Sequence, residues 1–416
     1  MRLAALIDAL RPVATTTLPD VAVRGVSYNS QTLRPGDLFV AIAGAHVDGH
    51  AYVEIAASRG AAGALVERAV AAPAGFPIVT VADTRLALSH VADLLAGSPS
   101  RRMWLAGITG TDGKTTSTEL TAQLLQSAGI DVGFMSTVTL QTGGEAIPNL
   151  TRQTTLEAVE VQQGLAAMLD SGRKSAVLEV TSHALALRKV EHCAFDVAGV
   201  TNVTHEHLDL HGTREGYVRA KAHLFELLGE SFDKPGDRVA ILNRDDRSFH
   251  ELLPFVPSAA RLLSYGLEAA ADVAAEDLDL RGDGASFRLR SPWGSAHVEL
   301  PLIGRFNVSN ALLAGTICMT RGIGIDAVAA GLAAARPVAG RMERIDAGQP
   351  FGVVVDYAHT PDSLRKVLTM LRQATGDGRL IAVFGSAGER DVEKRPIMGA
   401  IAAELADFSV FTTEDP

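Results

Sequence analysis

Seven residues at positions 110–116, GTDGKTT, could form a cradle for phosphate. Gly110 and Gly113 let the backbone curl until its N–H groups face an anion, and a helix starting there adds positive potential from its N-terminus. Lys114 can reach β- and γ-phosphates, and the Thr115 hydroxyl can ligate Mg²⁺. The run is not a strict Walker A, because Ile108 rather than glycine stands five positions before Gly113. Its setting, WLAGIT before and a helical stretch after, still favours phosphate binding over a merely structural turn. Asp112 is the misfit, since a carboxylate beside phosphates is repelled unless it points away or meets a metal.

A second concentration of reactive side chains lies in NVTHEHLDLHGTREGYVRAKAHLFELL, residues 202–228. His205, Glu206, His207, Asp209 and His211 crowd into seven positions, and Lys221 follows on a helical stretch. The run falls short of the His-x-His-x-Asp-His of binuclear metallohydrolases, because Leu210 stands in place of the last histidine. Nor is it His-Glu-x-x-His, since Asp209 holds the final place. Taken alone, these histidines read as structural. Their company changes the balance: AVLEVTSHAL puts Glu179 at the end of a buried strand, where a parallel sheet gathers its ligand loops. Glu179 could offer a hard oxygen to Mg²⁺. A lysine nearby would be repelled by the metal unless its amine had taken up CO₂, which makes it a carbamate anion with two oxygens. FGSAGERDVEKRP, residues 384–396, has a similar strand-to-helix setting but no Gly-Lys-Thr core, so by itself it is a weak ligand signal.

Such groups need a scaffold, and the chain reads as α/β throughout. GALVE, PIVTV, WLAGIT, SAVLEV, DVAGVTNV, RVAILN, GVVVDY and RLIAVFG are short apolar runs expected as buried strands. TRLALSHVADLLAG and DSLRKVLTMLRQATG have helical periodicity. This alternation predicts mainly parallel sheets covered by helices. Turn-rich GSPSRR at 97–102 and ARPVAGRMER at 335–344 divide the 416 residues into 1–97, 98–338 and 339–416. The last piece is short and stops directly after FSVFTT, as a truncated sheet would. A 47% hydrophobic and 21% charged composition suits a soluble globular protein. The net charge of −10 argues against general nucleic-acid binding. Cys193 and Cys318 are too few to staple such a chain and suit a reducing cytoplasm. The N-terminus lacks the pattern of a signal peptide, and no run approaches the roughly 18 apolar residues of a membrane helix.

Taken in order, GTDGKTT, LEVTSHAL, NVTHEHLDLHGTREGYVRAKAHLF, FNVSNALLAG, GRMERIDAGQPFGVVVDYAHTPDSL and RDVEKRPIMG resemble the Mur ligases, specifically the MurE-type branch. The resemblance covers nearly the whole chain and implies three domains: UDP-substrate binding, a central P-loop ATPase, and a Rossmann-like amino-acid domain. It implies ATP-dependent addition of the third, diamino residue to UDP-MurNAc-L-Ala-D-Glu in peptidoglycan synthesis, by a cytoplasmic monomer using ATP and two Mg²⁺. Residues Gly110, Thr111, Asp112, Gly113, Lys114, Thr115 and Thr116 would hold ATP, together with Asn307, Asn310, Arg341 and Asp356. The metal ligands would be Thr115, Glu179, His207 and carbamylated Lys221; Lys114, Glu179, His207, Lys221 and Arg341 would form the catalytic set. Tyr28, Ser30, Ala45, His46 and Val47 would lie near the UDP group, with Gln153, Thr154, Thr155, Thr181 and Lys189 on sugar and peptide. Arg390 would receive the amino acid.

Several positions depart from the family pattern. Asp112 replaces the usual Asn, Leu156 stands where Pro is common, and GSAGERD replaces a more glycine-rich loop. Lys189 stands for an arginine, which removes bidentate carboxylate recognition. TTEDP ends before the residue that discriminates the third amino acid, so that residue stays open. The competing readings are a MurE-like paralogue, another Mur or folylpolyglutamate-type ligase, a zinc hydrolase using HEHLDLH, and a non-catalytic nucleotide-binding module.

Overall fold

The computed structural model describes residues 1–44, 47–151, 153–204, 212–230, 234–386 and 392–413. Strands Ala14–Thr15, Ile78–Thr80, Gly63–Val66, Asp37–Val40 and Gly25–Ser27 lie side by side in one sheet, parallel apart from the first pair. Helix Thr84–Leu95 packs on it, started by Asp83, whose carboxylate accepts from Arg85 N at 2.9 Å and Leu86 N at 3.0 Å. This sheet shares its core with the next domain, because Ala158 and Val159 of helix Ala158–Asp170 are buried among Leu38, Val40 and Leu88.

An 11-stranded sheet dominates residues 104–300. Trp104–Thr109 lies at its middle, parallel to Ser175–Glu179 on one side and Val197–Val200 on the other. Both faces are covered, so these strands are apolar throughout rather than alternating. Ala106 and Ile108 face the core with helices Lys114–Ser127 and Arg305–Thr320, while Leu105 faces the one with Tyr217 and Phe225 of helix Arg214–Gly229. The chain fills one side of Trp104–Thr109 before crossing to the other, an arrangement that opens a crevice at the strands' carboxyl ends. Register places Glu179 beside Ile108 and Val200 beside Thr109, so three strand ends meet there.

Three sequence expectations change. Residues 273–300 carry three antiparallel strands, Val273–Arg281, Gly284–Ser291 and Gly294–Leu300, that the apolar-run reading does not contain. They bury Phe287, Leu289, Val298 and Leu300 and turn Arg281, Arg288 and Glu299 outward, so their signal is alternation rather than a continuous run. The second change is GVVVDY, which is not a buried strand. Among the described residues Val353–Val355 pairs only with Glu343–Ile345, and Val355 is exposed. The third is RLIAVFG, which is buried on one face only: strand Ile381–Phe384 pairs in parallel with Phe408–Phe411 beside helices Pro361–Thr375 and Lys394–Leu405, burying Ala382 on them while Ile381 and Val383 stay exposed. Cys193 and Cys318 are free, as two cysteines too few to staple the chain should be, and both are buried.

Candidate active site

The phosphate loop joins strand Trp104–Thr109 to helix Lys114–Ser127. Its glycines are obligatory in this shape. Gly110 has φ +148° and Gly113 φ +82°, and an added Cβ would collide with Thr201 Oγ1 at the first and Asn310 Oδ1 at the second. Asn202, just past the end of Val197–Val200, clamps the loop like a ladder partner. The Asp112 N–H donates to Asn202 Oδ1 at 3.0 Å, and Asn202 Nδ2 donates to the Asp112 carbonyl at 3.1 Å. Lys114 Nζ donates to the Thr111 carbonyl at 2.7 Å.

A cavity of about 330 Å³ opens over this loop. Its walls include all of Thr111 to Thr116, with Glu179, Asn307, Asn310, Arg341 and Asp356, so residues far apart in sequence converge. Arg341 comes from beyond the middle sheet and donates to Thr115 Oγ1 at 3.1 Å. Its Nε is buried with no hydrogen-bond partner, and its guanidinium lies 4.8 Å from the Tyr357 ring centroid. Asp356 accepts from Met342 N at 2.8 Å; burial raises its pKa against the opposing pull of that bond and of Arg341. Asn310 Nδ2 donates to Asn307 Oδ1 at 3.2 Å, which ties the two asparagines together on one face of helix Arg305–Thr320.

Glu179 is 2% exposed and receives three donors. Thr115 Oγ1 donates to Oε1 at 3.0 Å, while Thr137 donates to Oε2 from its N–H at 2.7 Å and its hydroxyl at 2.9 Å. Thr115 and Glu179 therefore present adjacent hard oxygens, a donor set suited to Mg²⁺ rather than zinc. Among the described residues no group of three or more His, Cys, Asp or Glu converges as a metal cage would.

A second cavity, about 270 Å³, adjoins the first and shares Lys114, Thr154 and Thr181 with it. Gln153, Thr155, Lys189 and Lys221 also line it. Lys189 Nζ lies 3.0 Å from Gln153 Oε1 and 2.6 Å from Glu157 Oε1. Thr155 Oγ1 donates to the Glu179 carbonyl at 2.9 Å and accepts from Thr181 N at 3.1 Å, joining the two cavities' walls. Lys221 is 1% exposed, on the helix begun by Thr213. Its Nζ donates to the Gly110 carbonyl at 2.6 Å and sits 4.3 Å from the Tyr217 ring centroid.

Tyr28, Ser30 and Val47 line neither cavity. Tyr28 Oη donates to Glu160 Oε1 at 3.2 Å across the first domain's edge, the Ser30 carbonyl accepts from Arg59 at 2.7 Å, and Val47 is exposed. Ala45, His46, His207 and Arg390 lie outside the described residues, as do His205, Asp209 and His211. Thr137, Asn202, Tyr217 and Lys366 were not picked out from sequence. Asn202 and Tyr217 sit inside the histidine-rich stretch and could have been found there, whereas nothing in the sequence marks Thr137.

Sequence patterns described as the Mur ligase family catalytic domain, the Mur ligase middle domain and the Mur ligase glutamate ligase domain match residues 22–98, 108–318 and 340–416. A UDP-N-acetylmuramyl-tripeptide synthetase from Roseiflexus sp. (strain RS-1) is 46% identical over 405 residues, covering 96% of this chain and 79% of that protein. A UDP-N-acetylmuramoyl-L-alanyl-D-glutamate–2,6-diaminopimelate ligase from Bacillus licheniformis is 40% identical, covering 100% of this chain and 84% of the relative. A solved structure of a ligase with the same name superposes with a TM-score of 0.75 at 30% identity, covering 99% of this chain and 82% of the other. The phosphate loop, the converging domain junction and these relatives agree: the chain belongs to the Mur ligase family and is an ATP-dependent, amide-forming ligase.

Proposed function

We propose that this ligase joins 2,6-diaminopimelate to the D-glutamate of UDP-MurNAc-L-Ala-D-Glu, the third-residue step of peptidoglycan synthesis. The observation that carries this reading is the pair of adjoining cavities with Lys114, Thr154 and Thr181 common to both. A nucleotide over the phosphate loop would aim its γ-phosphate toward an acceptor carboxylate in the second cavity. The diamino acid is taken from the names of the Bacillus and other relatives; the Roseiflexus relative's name leaves the residue open.

In this mechanism a D-glutamate carboxylate oxygen attacks the γ-phosphorus, the bond to the β-phosphate oxygen breaks, and ADP leaves. The amine of the diamino acid then attacks the acyl phosphate carbon. The C–O bond to phosphate breaks, inorganic phosphate departs, and the nitrogen loses a proton. Transfer of this kind depends on positioning and charge neutralisation. Lys114 and Arg341 supply fixed positive charge, and Asn307, Asn310 and Asp356 orient the nucleoside. Mg²⁺, two ions when fully loaded, would neutralise phosphate charge, held by Thr115, Glu179, His207 and Lys221 as its carbamate. Gln153, Thr154, Thr155, Thr181 and Lys189 position the sugar and peptide, Tyr28, Ser30 and residues 45–47 the uridine end, and Arg390 the incoming amino acid. The division of labour follows residues 1–97, 98–338 and 339–416, in a cytoplasmic monomer.

The test is ligation with lysine, 2,6-diaminopimelate and ornithine, following ADP release and the mass of the UDP-linked product. ADP should appear only with both the UDP-dipeptide and 2,6-diaminopimelate present. Turnover that needs zinc and no ATP would overturn the reading.

A further inference from the structure

Asp112 is the residue that suits the nucleotide cavity least. Its backbone N–H and carbonyl are both clamped by Asn202, at 3.0 and 3.1 Å, which fixes the point from which its side chain leaves the loop. Its Oδ2 is buried without a hydrogen-bond partner. Among the described residues the nearest opposite charge comes from another domain: Lys366 Nζ, on helix Pro361–Thr375, lies 3.6 Å from that oxygen. Lys366, Ser363 and Val367 line the cavity wall contributed by this helix.

We propose that Lys366 is a positioning residue for the nucleotide: it cancels the Asp112 charge so that phosphates can occupy the loop, and in doing so ties the third domain's first long helix to that loop. The inference rests on the reading that a nucleoside triphosphate fills this cavity. Asp362, one turn earlier on the same helix, lies 2.5 Å from Lys366 Nζ and holds the ammonium in place. Its own charge sits in the helix's first turn, where the helix dipole favours an anion. Burial works against the charged form of Lys366, but the hydrogen bond to Asp362 and the charge of Asp112 outweigh it and raise its pKa above the usual lysine range. The cation therefore persists across neutral pH. An asparagine in place of Asp112 would need no such partner.

The experiment is a double-mutant cycle on the whole chain: wild type, K366Q, D112N and the double variant. Dissociation constants for a non-hydrolysable MgATP analogue are measured by calorimetry at low and high salt, with thermal melts to check folding. K366Q should weaken binding about tenfold at low salt and less at high salt, as screening of a half-exposed pair requires. D112N should bind at least as tightly as wild type, and the double variant should lie within about twofold of D112N, the residual scatter of such cycles. Equal losses from K366Q in both backgrounds would mean that Lys366 touches the nucleotide directly, and would overturn charge compensation. Unchanged affinity in K366Q would overturn it too while leaving the nucleotide reading intact. Failure of the wild type to bind the analogue would remove the nucleotide reading and this proposal together.

Discussion

Replacing Glu179 by glutamine separates the two duties of that carboxylate. It is buried and receives three donors, one from Thr115 and two from Thr137, at 2.7 to 3.0 Å. A glutamine has the same shape but only one oxygen. If that oxygen faces Thr137, both Thr137 donors keep an acceptor. The amide NH₂ then meets Thr115 Oγ1, which can rotate to accept. One charge-assisted hydrogen bond is exchanged for a neutral one and the remainder weaken, so the fold should lose about 1–2 kcal/mol. That corresponds to a fall of about 2–8 °C in the melting transition of a domain this size. Ligation should fall far more, by about 10²–10³ in kcat, because the anionic oxygen set beside Thr115 is gone. The assay pairs a calorimetric melt with ADP release at saturating ATP and Mg²⁺. Turnover within tenfold of wild type would refute a role for the charge. Failure to fold would refute the relaxed geometry on which the small stability cost rests.

Three further outcomes are expected. Lys221→Ala should abolish ligation, with partial rescue by added short carboxylates, and ¹³C-bicarbonate should give wild type a carbamate NMR signal; an active, metal-loaded enzyme without that signal contradicts the carbamate. Tyr217→Phe removes only the hydroxyl paired with Thr111 Oγ1 at 3.1 Å and keeps the ring beneath Lys221. It should cost about 0.5–1.5 kcal/mol of stability and leave most activity, whereas Tyr217→Ala should lose both. His223 lies 2.5 Å from Glu191 and 2.6 Å from Glu226. Burial lowers its pKa, but those carboxylates outweigh burial and raise it above 6.5. A raised histidine contributes fully below its unfolded value and loses that contribution as pH climbs through the folded one. The stability gap between wild type and His223→Gln should therefore be widest below pH 6.5 and shrink above it, in denaturant titrations at successive pH values. A gap that grows with pH refutes the pairing.

How much of this was legible in the sequence depends on how far apart the cooperating residues lie. GTDGKTT specified its own structure, because the positive φ angles and close approaches at Gly110 and Gly113 admit no side chain. The buried parallel strands were equally plain, since a sheet covered on both faces leaves uninterrupted apolar runs. Capped helices such as Thr84–Leu95 carried their start signals in sequence as well. The three antiparallel strands of 273–300 escaped because half their residues face outward and break the run. Motif-borne residues distant in sequence do converge: Glu179, Asn307, Asn310, Arg341 and Asp356 all line one cavity. Thr137 was invisible, since a lone threonine in a turn says nothing until its N–H meets the carboxylate of Glu179.

Asp112 shows the division most clearly. By itself the sequence determined that a carboxylate stands in a phosphate loop, fixed there by the spacing of the glycines and Lys114. Only the tertiary structure decided what answers that charge, because Lys366 lies 254 residues later and reaches the loop through the packing of a separate domain. Local conformation follows from near neighbours along the chain. The electrostatics of a cleft depend on whichever side chains the folded domains bring to its walls.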